Sequence, residues 1–191
     1  MSFQRTIQSL SMQDREGLPV IGMIMTVQFS VSGFSSRWNH CNQLANFFAR
    51  FACANASDPE RQSTLLSTFF NEVLEVLYRH QAGDGKIKLT FQKQNRHLSL
   101  RAEVPVDSQS RKFYRRAVEI ASQPDLDAWY RNWLERSAKD DREDSDTTAL
   151  AAGLLELVAV YESKLTIEDS SDSELPLLLH FEFPYEGEGV E

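Results

Sequence analysis

Glycine is sparse in this sequence, eight residues in 191, and the glycines do not cluster. Backbone amides that cradle phosphate need glycine's conformational freedom. There is no Walker loop, no GxGxxG turn and no GxSxG elbow, so the common signatures of nucleotide binding and nucleophilic hydrolysis are excluded. Histidine is sparser still: His40, His80, His97 and His180 lie far apart, and no HExxH pair occurs. Cysteine is limited to Cys41 and Cys53, twelve residues apart with no histidine pair to complete a zinc signature. Reduced, buried thiols in a cytosolic protein are the expectation. Long apolar runs are missing too. The most apolar stretch, Ala149 to Val160, is interrupted by Glu156 and is too short to cross a bilayer. Polar residues punctuate Met1 to Gln13, so no secretory leader is expected, and the location implied is cytoplasmic.

What is present suits a folded domain. Hydrophobic residues make up 41% and charged residues 25%, with twelve Phe and three Trp to fill a core. A chain of this length can bury one continuous core, so a single domain over 1–191 is expected. The charge is unevenly placed. Ala138 to Glu191 holds 3 basic and 15 acidic residues, a net of −12, whereas Met1 to Ser137 carries a net of +4. The total of −8 argues against capture of nucleic acid or of an anionic membrane surface. The acidic run Asp140, Asp141, Glu143, Asp144 and Asp146 lacks the glycine and terminal glutamate of an EF-hand. It reads as a solvated, mobile loop over 139–148, and 186–191 reads as an acidic tail.

Periodicity supplies the elements. Val20 to Val31 is rich in branched and aromatic residues and reads as a strand, paired with an earlier one around Phe3 to Leu10. From Trp38, apolar residues at three- and four-residue steps predict an amphipathic helix that ends at the Asn55–Pro59 stretch. Asp58 and Pro59 start a second helix running to about His80. Strands Lys86–Lys93 and His97–Val106 form a hairpin, then helices follow over Ser110–Ser122 and from Pro124. The second of these presents Leu126, Trp129, Tyr130, Trp133 and Leu134 as a wide apolar face, which is more often core than cofactor box. A helix over Thr148–Glu162 and strands Leu165–Glu168 and Leu177–Phe183 complete the chain. Strands in hairpin pairs with helices between the pairs predict an α/β (α+β) two-layer sandwich. Its sheet is expected to be mixed and largely antiparallel, with helices on one face and the core spanning about 20–183.

One stretch carries a motif: Phe70-Asn-Glu-Val-Leu-Glu-Val-Leu-Tyr-Arg-His80. It resembles the N-box helix of the GHKL ATPase superfamily, in which Glu, Asn and His recur every four residues along one helical face. The order of elements is similar to the compact anti-sigma-factor kinase branch, including SiaB-like kinases and divergent cyanobacterial regulators. By that resemblance Glu72 takes the place of the general base and His80 borders the nucleotide. Val76 stands where the family's magnesium ligand should be, and a valine cannot coordinate a hard cation. Asn71 lies five residues too early to substitute. Asp107 falls at the place of the adenine-holding turn, in Glu103-Val-Pro-Val-Asp107. Gly153 is the one glycine where a lid should open, in Asp146-Thr-Thr-Ala-Leu-Ala-Ala-Gly153. The resemblance implies a bacterial signalling regulator that binds a partner protein, of antagonist, sigma-factor or response-regulator type, and that forms a homodimer. No cofactor or metal is expected on that reading. The first alternative is a protein serine/threonine kinase using ATP and Mg with Glu72 as base. The second is an unrelated α+β domain that binds a small ligand.

Overall fold

A computed structural model describes residues 4–13, 19–32, 39–53, 58–80, 85–94, 97–137, 154–156, 158–159, 161–169 and 175–184. The first hairpin is β1 (Gln4–Gln13) and β2 (Pro19–Ser30). Two helices follow, α1 (Asn39–Ala52) and α2 (Pro59–Arg79). The second hairpin is β3 (Lys86–Gln94) and β4 (His97–Val104). Then come α3 (Ser108–Ala121) and α4 (Leu126–Ser137). Residues 154–156, 158–159 and 161 are helical, and β5 (Lys164–Glu168) and β6 (Leu177–Pro184) end the order.

The six strands form one sheet in the order β1-β2-β3-β4-β6-β5. All five pairings are antiparallel. The protein is therefore α+β with an antiparallel sheet, and the expected mixed character is corrected: no pairing among the described residues is parallel. Alternation along the strands sorts side chains onto two faces. Met25, Phe91, Leu100 and Phe181 occupy one row of register, and Val27, Leu89, Ala102 and Leu179 the next; all are buried. The opposite face carries Thr26, Thr90, Arg101, His180 and Thr166 in one row. Thr26 and Thr90 hydroxyls lie 3.3 Å apart, and Lys88 Nζ donates to Glu103 at 2.8 Å. An antiparallel sheet with one apolar and one polar face needs a helical cover on the first alone.

The cover is aromatic. Phe70 of α2 sits 5.4 Å from Phe48 of α1 and 5.6 Å from Phe91 of β3, centroid to centroid. Phe69 meets Phe183 of β6 at 4.6 Å and Tyr161 at 5.4 Å. Helix α2 thus crosses the apolar face from β3 to β6. Its start follows from sequence: the Asp58 carboxylate accepts from the Arg61 N–H, and Pro59 fills the first helical position, where no N–H is needed. The close approach of Gly85 to Pro105 admits no side chain, since a Cβ there would come within 2.9 Å of the Pro105 ring.

Several boundaries shift from expectation. Helix α3 begins at Ser108, because Asp107 accepts from the Ser110 N–H at 2.7 Å and caps it. Strand β4 accordingly stops at Val104. Pro124 lies in a turn before α4, whose first backbone bond runs from Trp129 N to Asp125 O. Glu162 has φ 51, a left-handed conformation that ends the helical residues before β5. No helix among the described residues is long and apolar enough to cross a membrane. The expected loop over 139–148 and tail over 186–191 lie outside the described residues.

Candidate functional site

Helix α2 places Glu72, Val76 and His80 one turn apart, and each meets a different environment. Glu72 is half-buried among acidic and phenolic neighbours. Its carboxyl is pushed above the ordinary range first by burial, then by the negative charges of Glu75 and Glu156, with Arg79 opposing. Tyr161 stands in the same field: burial and the charges of Glu72 and Glu156 push its hydroxyl up. Tyr130 of α4 hydrogen-bonds Glu156, and burial raises its hydroxyl as well. Glu72 therefore shares its surroundings with the carboxylates of Glu75 and Glu156 and the hydroxyl of Tyr161, where a proton is held more tightly than on an isolated glutamate.

Val76 is 3% exposed and belongs to the core. His80 lies at the C-terminal end of α2, its N–H donating to Val76 O at 3.1 Å. Its ring lies against Phe113 of α3 at 3.8 Å between centroids, with Tyr114 edge-on at 5.9 Å. Burial lowers its pKa first and the positive charge of Arg79 second, with the nearby Asp107 carboxylate opposing. Asp107 is exposed and held below the usual carboxylate range, chiefly by the Ser110 backbone N–H, then by the Ser110 hydroxyl. Its role in the fold is that of a helix cap. Asp107 and His80 are thus brought together, and Glu72 faces other neighbours. About 12 Å separates positions eight residues apart on a helix. Gly153 and the segment Asp146–Gly153 lie outside the described residues, as do Trp38 and the side chains of Trp133 and Leu134. Trp129 and Tyr130 are partly buried against the core.

His80 Nε2, Tyr114 Oη and Asn71 Oδ1 are buried polar atoms with no hydrogen-bond partner among the described residues. Tyr114 is fully buried, and burial raises its hydroxyl pKa. The His80 and Tyr114 atoms lie in one aromatic cluster at the α2–α3 junction, where bound water is the usual satisfier of such groups.

Two surface cavities lie elsewhere. One, of about 470 Å³, is lined by Arg101, Glu103, Glu168 and Asp169 on the polar side of the sheet. Each of these charges is already engaged: Glu103 with Lys88, Glu168 with Arg101 at 3.7 Å, and Asp169 with both Arg111 and Arg115. The other, of about 250 Å³, lies between the end of α1 and the start of α2, beside Arg50, Cys53 and Glu60. Neither is lined by Glu72, Val76, His80 or Asp107. No group of three His, Cys, Asp or Glu residues among the described residues is arranged to hold a metal ion.

Sequence reasoning did not find the Arg111–Asp169 pair, both members of which are 9% exposed in their side chains. Arg111 also donates to Leu175 O at 2.7 Å. The available signal was the spacing of Arg111 and Arg115, which puts two guanidiniums on one face of α3. The Glu156 and Tyr161 neighbours of Glu72 left no local signal, being more than eighty residues away. No protein-family model and no curated protein matches the chain.

Proposed function

We propose that this chain is a signalling regulator that acts by binding a partner protein, on a two-layer sandwich of GHKL type whose nucleotide motifs have degenerated. The observation that carries the reading is Val76. In the N-box pattern this position supplies oxygen to magnesium; here it is an aliphatic side chain, 3% exposed. Without a cation the charge on a transferring phosphoryl group goes largely uncompensated. The order of elements supports the superfamily, with two helices between β2 and β3 and further helices between β4 and β5. The helix placed as the N-box also lies across the apolar face of the sheet. A partner of antagonist, sigma-factor or response-regulator type fits such a module. Half-buried Trp129 and Tyr130 are its candidate anchors, since aromatic side chains dominate interface energetics.

Calorimetric titration with magnesium and ATP tests the reading directly. No heat of binding is expected, and micromolar affinity overturns it. Co-purification from the native cell should return one stoichiometric protein partner.

One observation favours a second reading. The raised proton affinity of Glu72, beside Tyr161 and Glu156, suits a general base in a protein serine/threonine kinase. That reading requires ATP to bind, and requires Glu72→Ala to abolish phosphotransfer while the circular dichroism spectrum is unchanged.

A further inference from the structure

Helices α2 and α3 meet at a junction built around one imidazole. Their backbones scarcely approach one another, so side chains carry the connection. His80, at the end of α2, lies face to face with Phe113 at 3.8 Å and has Tyr114 edge-on. With that ring on it, Phe113 is 6% exposed, and Tyr114 is fully buried. Helix α3 has its own moorings besides. Arg111 and Arg115 tie it to Asp169 after β5, and Tyr114, Ala117 and Ile120 seat it in the core. The imidazole therefore decides one thing, whether the end of α2 is joined to α3.

The ring suits that contact in one charge state. Its Nε2 is buried and has no hydrogen-bond partner among the described residues. A neutral imidazole with its proton on Nδ1 leaves a bare nitrogen there. An imidazolium carries N–H on both nitrogens, and a buried, charged donor without an acceptor costs far more than a bare nitrogen. The Tyr114 hydroxyl does not supply the acceptor. Two charged groups act on the ring, Arg79 from α2 and Asp107 from the cap of α3. Arg79 opposes the charged form and is itself paired with Glu75. Asp107 favours the charged form, and is exposed. Tyr114, the other titratable group at the ring, stays neutral because burial raises its hydroxyl.

We propose that His80 is an acid-operated latch: neutral, it clamps the end of α2 onto Phe113, and protonated, it leaves for solvent beside Asp107. The sheet and the core stay folded, and the opened junction bares the face of Phe113. Histidine is the side chain whose charge changes in the physiological range. A local opening at its contacts couples that change to shape. The device needs neither nucleotide nor partner, and holds whether the reading of Val76 stands or falls.

Nuclear magnetic resonance of the full, isotopically labelled chain tests it, with pH lowered from about 7.5 to about 5, the span over which histidine changes charge. The His80 Cε1–H signal should titrate with a midpoint below the ordinary 6.5. The ring protons of Phe113, shielded by the stacked imidazole, should move downfield with the same midpoint. Signals of Leu89, Leu100 and Ala102 in the sheet should stay in place. Titration of His80 with Phe113 unmoved means that the imidazolium stays stacked, and overturns the latch. So does a midpoint at or above 6.5, or movement of the sheet signals together with Phe113. Two exposed variants set the sign. Asp107→Asn keeps a capping side chain and should lower the midpoint, whereas Arg79→Gln should raise it; midpoints that fail to separate in this order overturn the proposal. His80→Gln should leave Phe113 unresponsive over the same range, and a response that persists belongs to another group and overturns it too. Should His80→Gln fail to fold, the titration of the unaltered chain and the two exposed variants decide.

Discussion

His80 lies flat on Phe113, with ring centroids 3.8 Å apart and planes 12° from parallel, so the end of α2 is locked to the first turns of α3. The contact has a consequence in pH. The imidazole is held below its free value of 6.5, mainly by burial and then by Arg79, while Asp107 pulls the other way. As pH falls through 6.5, the unfolded chain takes up this proton before the folded chain does. The contribution of His80 is therefore fully present above 6.5 and is lost as pH falls toward the folded-state value. Urea midpoints at about pH 8 and about pH 5.5 should show this loss, and His80→Gln should diminish it. An equal loss in the variant would assign it to other groups.

Glu72 works in the opposite direction. Its carboxyl is raised above 4.5 by burial, then by Glu75 and Glu156. As pH rises past 4.5 the unfolded chain releases the proton first, so stability is lost as pH climbs through the folded-state value. Glu72→Gln should raise the unfolding free energy at neutral pH, read from urea denaturation, by less than about 1 kcal/mol, because the site is only half-buried and solvent screens it. The gain should vanish near pH 4. A variant less stable than the parent at neutral pH would mean that Glu72 makes a favourable contact there.

How far the sequence reached depended on the range of the interaction. The hairpin β3–β4 and the start of α2 at Asp58 and Pro59 were legible, because each is set by residues within a turn or two of one another. Strand order was not. That β6 inserts between β4 and β5 follows from long-range burial of Leu177, Leu179 and Phe181 beside β4, which no local spacing records. The candidate site was legible in the same partial way. Four-residue spacing placed Glu72, Val76 and His80 on one helix, but the neighbours that decide their chemistry come from distant segments: Glu156 and Tyr161 for Glu72, Phe113 for His80. Helix α3 starts two residues before the expected Ser110, where the Asp107 carboxylate caps it.

Asp169 pins α3 to the start of the β5–β6 connection through Arg111 and Arg115. Removing the carboxylate leaves Arg111 charged and buried without its partner, which costs about 3 kcal/mol or more. Arg115 is 53% exposed, so Arg115→Gln should cost under about 1 kcal/mol. Denaturant unfolding of Asp169→Ala and Arg115→Gln should show that order. Equal losses would mean that the two guanidiniums share the carboxylate evenly.

The sharpest test of the site lies at Val76. If the position had merely lost a ligand from an otherwise intact site, Val76→Asn would restore magnesium-dependent binding of ATP. The surroundings argue otherwise. Val76 is packed with Val73, Leu77 and the rest of the buried stripe of α2. An asparagine amide there meets apolar neighbours and gains no compensating hydrogen bond. Burial of such a group costs about 1–3 kcal/mol. The expected outcome is therefore a less stable protein, by urea midpoint, that still gives no heat on titration with magnesium and ATP. Val76→Ala separates the two causes of instability: it removes volume without adding polarity, and should cost about 1–3 kcal/mol. Recovery of nucleotide binding in Val76→Asn, and not in Val76→Ala, would show that the rest of the phosphate-handling site has survived. The chain would then be one substitution away from an enzyme, and the partner-binding reading would fail.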